Sequence, residues 1–70
     1  MDFVRRYIVQ DRETGQFVCP RLGDVGLCVL FQDAGRFETA DEAREAGVYL
    51  LDADALVIPI WERDLFGEAK

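Results

Sequence analysis

TADEAREAGVYLL, from Thr39 to Leu51, is the stretch on which the fold of this chain turns. Thr39 is a good N-cap, and Glu42 stands three residues on, where its carboxylate reaches back toward the cap; together they read as a capping box. Asp41 and Glu42 also occupy the first turn, where the helix dipole favours anions. Ala40, Ala43, Ala46 and Leu50 recur at helical spacing and give one apolar face. The alanines on that face let a helix lie close to a sheet. Gly47 leaves two readings. As a C-cap it ends the helix and releases Val48–Leu51 as a strand. Tolerated inside the helix, at about 1 kcal/mol, it lets the helix run to Leu51. The second reading is favoured, because the first leaves a helix of only about seven residues.

Outward from this helix the chain reads as strands. FVRRYIVQ (Phe3–Gln10) is rich in Val, Ile and Tyr with loose alternation, which predicts a strand. Asp11–Gly15 is a polar turn, and Gln16–Cys19 resumes an extended pattern that Pro20 stops, so the two make a hairpin. Arg21–Gly26 reads as a loop and LCVLF (Leu27–Phe31) as a third strand, buried on both faces or at the middle of the sheet. LVIPIW (Leu56–Trp61) is the last strand, and Pro59 places it at an edge or a bulge. Glu62–Lys70 reads as a polar tail on which Leu65 and Phe66 are able to dock back. The order is βββαβ. One helix over one face of a mainly antiparallel sheet makes a single two-layer α+β domain spanning residues 1–70. The expected core is Val4, Tyr7 or Ile8, Phe17, Leu27, Val29, Phe31, Phe37, Leu50, Val57, Ile58 and Ile60.

Composition removes whole classes of chemistry. The chain has 70 residues, no histidine and no serine. The commonest general base and metal ligand is therefore missing, and a Ser-His-Asp or Cys-His arrangement is impossible. Cys19 and Cys28 fall short of a structural zinc set and are expected as free thiols in a reducing compartment. Gly23 and Gly26 lack the spacing and the lysine of a phosphate loop. Asp52 and Asp54 are too few for a calcium loop, and as a carboxylate pair they would need a pocket that so small a chain hardly encloses. No apolar run reaches membrane-spanning length, and the N-terminus lacks the basic-then-apolar order of a secretory signal. The expectation is a cytoplasmic protein that binds and does not catalyse, with no metal, no cofactor, no membrane and no direct nucleic-acid contact.

The formal net charge is −6, with 14 acids against 8 bases. It is unevenly placed. Residues 1–32 are neutral, whereas residues 33–54 carry seven acids against Arg36 and Arg44, a net of −5. On a helix Asp41 and Glu45 share a face. Asp33, Glu38, Asp41, Glu45, Asp52 and Asp54 thus form a candidate acidic strip, with Glu42 committed to the cap. The plain reading is a solvated surface that keeps a small protein soluble. The sharper reading is a surface complementary to a basic, nucleic-acid-recognising groove, a DNA mimic. Tyr49 and Trp61, if exposed, would be its anchors.

Three stretches carry a resemblance: YIVQDRETGQF from Tyr7 to Phe17, RFETADEA from Arg36 to Ala43 leading into the helix, and VIPI from Val57 to Ile60. Over about residues 3–61 the chain resembles small phage-encoded or mobile-element proteins, among them anti-CRISPR proteins. The resemblance implies a non-enzymatic inhibitor that binds a CRISPR effector complex in the bacterial host cytoplasm and blocks its nucleic-acid recognition. It supplies no shared binding motif, so the site residues rest on charge alone. The alternative is a small structural or adaptor protein, monomer or homodimer, that self-associates through the sheet edge at Leu56–Trp61.

Overall fold

The alternation in FVRRYIVQD and the apolar run ALVIPIWER become the two long strands of the protein. A computed structural model describes residues 3–21 and 24–63. Strand β1 (Phe3–Asp11) pairs antiparallel with β4 (Ala55–Arg63) along its whole length, from Phe3 opposite Arg63 to Asp11 opposite Ala55. Strand β2 (Phe17–Arg21) pairs with β3 (Asp24–Cys28). The sheet order is β3-β2-β1-β4, wholly antiparallel, and helix α1 (Ala40–Leu51) packs on one face. The two-layer α+β architecture in βββαβ order is therefore the observed one. The expected docking of Leu65 and Phe66 falls outside the described residues.

The β1–β2 turn is held from within. The carboxylate of Asp11, 7 % exposed, accepts from the Glu13 N–H at 2.9 Å and from the Thr14 hydroxyl at 3.0 Å. Gly15 takes φ +80°, which a side chain would disfavour. Beyond Gln10 opposite Phe17, β2 parts from β1. Residues 35–37 fill the gap: the Tyr7 N–H donates to the Phe37 carbonyl, Phe37 returns the bond, and the Gly35 N–H donates to Val18, each at 2.9 Å. Arg36 clasps this segment. Its guanidinium pairs with Glu62, donates to the Ala34 carbonyl at 2.7 Å and lies over the Phe31 ring.

Three expectations need correction. Pro20 lies inside β2 and does not stop it. Val18 turns its carbonyl away from β3, so Pro20, two residues on, directs its missing donor to the same side, where β2 has left its ladder with β1. The third strand lies three residues earlier than LCVLF indicates. Asp24–Cys28 forms it, and Val29, Leu30 and Phe31 leave the sheet exposed rather than buried. The largest fully buried side chains among the described residues are Ile8, Val9 and Val18, of which the expected core contains only Ile8, as the alternative to Tyr7. Cys19 is a free, buried thiol, as expected, and the Cys28 thiol donates to the Leu30 carbonyl at 3.6 Å.

The core centres on Val9, Val18 and Ala43 between helix and sheet, with Leu27, Phe37, Leu50 and Val57 packed around them. The helix runs through Gly47 to Leu51. A Cβ built on Gly47 would stand 2.8 Å from the Ala55 Cβ and 2.9 Å from the Val9 Cγ1. The absence of that atom sets the helix-to-sheet distance. Gly47→Ala should therefore destabilise the fold by about 1–3 kcal/mol through overpacking, although alanine raises helix propensity by about 1 kcal/mol. Urea denaturation followed by circular dichroism checks the sign.

Candidate functional site

The helix that carries the acidic residues is anchored at both ends by its own sequence. At the start, the Thr39 hydroxyl accepts from the Glu42 N–H at 3.1 Å. The Glu42 carboxylate reaches the Glu38 N–H at 3.4 Å, one residue upstream of the partner a capping box specifies. Glu42 is thus committed to the cap as expected. At the end, the Asp52 N–H donates to the Val48 carbonyl with Asp52 at φ 54°, ψ −125°, a conformation that favours glycine. A 3₁₀ turn, Asp52–Asp54, leads into β4, and the Asp54 carbonyl accepts from the Arg12 N–H at 2.8 Å, tying the helix end to the β1–β2 turn.

Gly47 defines which way the helix faces. Residues two before and two after it lie nearly opposite on the helix wheel, so Glu45 and Tyr49 point away from the sheet. Asp41 precedes Glu45 by one turn on the same side. Asp41, Glu42, Glu45 and Asp52 are exposed, as is Glu38 just before the cap. Tyr49 is 72 % and Val48 51 % exposed. The structure therefore brings Glu38, Asp41, Glu45 and Asp52 into one strip along a helix about 18 Å long, with Tyr49 inside it and half-buried Asp54 at its far end. Arg44 is the one base on the helix and lies 3.6 Å from Asp41, both exposed, a contact that contributes little.

Asp33 does not join them. The 3₁₀ turn Phe31–Asp33 packs through Phe31, edge-to-face on Phe17 with ring centroids 5.9 Å apart. Phe17 stands opposite Gln10 and next to Val18, so it belongs to the sheet face away from the helix. Trp61, the second expected anchor, is 64 % exposed but sits on β4, apart from the strip. Val48 was missed. The helix running to Leu51, as favoured from the sequence, already leaves Val48 off the Ala43–Ala46–Leu50 face and next to Tyr49. A half-open apolar hollow of about 200 Å³ lies among Val18, Cys19, Pro20, Val25 and residues 35–37, and none of the candidate site residues lines it. Among the described residues no three His, Cys, Asp or Glu side chains converge as a metal set, and no helix is long and apolar enough to cross a membrane.

No family model, no curated protein and no solved structure matches the chain.

What the arrangement can do is electrostatic. Five exposed carboxylates, Glu38, Asp41, Glu42, Glu45 and Asp52, lie along the helix layer against a single arginine, with an exposed phenol and an isopropyl group among them. Such a face attracts a cationic surface at range and offers two side chains for close packing once there. Asp52 carries a backbone conformation of the kind that glycine relieves. Asp52→Gly should be more stable than Asp52→Ala by about 1–2 kcal/mol, read from paired urea melts.

Proposed function

We propose that the protein is a non-enzymatic inhibitor of the anti-CRISPR type, acting in the host cytoplasm, whose acidic helix face occupies a basic, nucleic-acid-recognising surface of a CRISPR effector complex. The observation that supports this most is the strip itself. Glu38, Asp41, Glu45 and Asp52 lie along the side of the helix opposite Gly47, exposed and almost without counter-charge. Asp41 and Glu45, one helical turn apart at about 5–6 Å, with Glu38 before them and Asp52 beyond, present a row of charge in the way a phosphate backbone does. The effector as partner comes from the resemblance of the chain; the acidic face supplies the chemistry of the contact. Tyr49 is the anchor, since an aromatic ring exposed within a charged strip is the residue type that dominates interface energetics.

Self-association through the outer edge of β4 is disfavoured by one detail. Tyr7 exchanges both its backbone bonds with Phe37, so the Tyr7–Pro59 pair is not hydrogen-bonded, and Pro59 turns its donor-less nitrogen to the outer edge. The middle of that edge cannot continue a ladder.

The double variant Asp41→Lys/Glu45→Lys should keep its circular dichroism spectrum and lose effector affinity by about tenfold or more, measured as inhibition of DNA binding by the effector. Unchanged inhibition in the folded variant would refute the proposal.

A further inference from the structure

The β1–β4 ribbon continues past the helix, and there its helix-side face is open. Val9 faces the helix, so Tyr7, Arg5 and Phe3, at steps of two, share its side. The register sets Pro59 opposite Tyr7, Trp61 opposite Arg5 and Arg63 opposite Phe3, which puts those three on the same face. Tyr7 is half-buried, and beyond it cover ends. Phe3 is 61 % and Trp61 64 % exposed, and Arg5, Pro59 and Arg63 are exposed with them. The Arg5 guanidinium lies over the Trp61 ring, 4.5 Å from its centroid. Among the described residues this face holds no carboxylate, and neither Arg5 nor Arg63 has an ion-pair partner.

Tryptophan, phenylalanine and arginine without lysine is the composition of an interface centre and not of solvated surface. The two arginines decide what fits. A symmetric contact of this face with itself would gather Arg5 and Arg63 from both copies with no acid among the described residues between them, which like-charge repulsion opposes. The occupant must bring carboxylates at a spacing that long arginine side chains can reach. Arg5 and Arg63 are diagonal cross-strand neighbours, about 7–8 Å apart at the backbone. Asp41 and Glu45, one helical turn apart, are spaced about 5–6 Å, and exposed Tyr49 and Val48 follow them to meet the rings. We propose that this open ribbon face receives the acidic helix strip of a second copy, so that the chain associates head to tail. Such a contact is heterologous and leaves one strip and one ribbon face free at the ends of each assembly. It also covers the strip, so association and partner binding compete. The inference does not depend on the identity of the partner proposed above.

Sedimentation over a range of concentrations at low and high salt tests it, with the emission of Trp61, the single tryptophan of the chain, as a second reading. The wild type should gain mass with concentration at low salt, shift Trp61 emission to the blue as it does so, and dissociate as salt rises. Arg5→Glu/Arg63→Glu leaves the strip intact and should be monomeric, and Asp41→Lys/Glu45→Lys should be monomeric for the complementary reason. Mixing the two variants should restore association, because each strip then meets a face of opposite charge. A wild type that stays monomeric at every concentration in low salt would overturn the proposal. Assembly that persists unchanged in Arg5→Glu/Arg63→Glu or at high salt would do the same. So would a Trp61 shift of the monomeric protein on adding single-stranded oligothymidylate, which would assign the face to nucleic acid. None of these readings contains an effector, so they stand or fall apart from the proposed inhibition.

Discussion

The close approach of α1 to the sheet at Gly47 governs the rest of the structure. With only hydrogen at that position, the helix backbone comes within contact of Val9 and Ala55, atoms that any Cβ would meet at less than 3 Å. Three consequences follow. Val9 and Ala43 become fully buried in a chain too short to hide many side chains. The helix passes the glycine and keeps its length to Leu51, since ending there would expose what the contact covers. The rotation of the helix is fixed, so its acidic residues face solvent along one line. A glycine that weakens the isolated helix is thus what allows the folded one to pack, a case of tertiary contact outweighing local propensity.

The same contact divides the helix-side surface of the protein into two kinds. Over the core the surface is the outer face of the helix, acidic from Glu38 to Asp54. Past the helix it is the bare β1–β4 ribbon, with Arg5 and Arg63 around Trp61 and Phe3. The opposite sheet face is covered in part by the turn at Phe31–Asp33, held by Arg36 to Glu62 and to backbone carbonyls. Arg36 and Glu62 are therefore occupied in the fold, while among the described residues Glu38, Glu45 and Asp52 of the strip and Arg5 and Arg63 of the ribbon end make no ion pair.

Much of this was legible in the amino-acid order, and the misses share a cause. The cap at Thr39 and the helix after it were readable because they depend on neighbours within four residues. Pro59, which lacks a donor wherever it stands, limited LVIPIW to an edge or a bulge, and β4 lies at the edge. LCVLF misled because an apolar run does not say which of its residues join a ladder. The ladder with β2 takes Asp24–Cys28, and Phe31 is used instead as a lid on Phe17. Asp33 was counted into the strip because it is close in sequence to Glu38, yet the chain passes from one face of the sheet to the other between them. The open ribbon face was hidden because it exists only through the pairing of residues 3–5 with residues 61–63, a register that no local pattern encodes.

If the acidic strip is the contact that draws the protein to a basic surface, its attraction acts before contact and is screened by salt with a Debye length of about 8–10 Å. The rate of association with an effector complex, measured by stopped flow across ionic strengths, is the most direct test. The account predicts an association rate that falls about tenfold or more from low to high salt, while the dissociation rate changes far less. An association rate independent of ionic strength would contradict it.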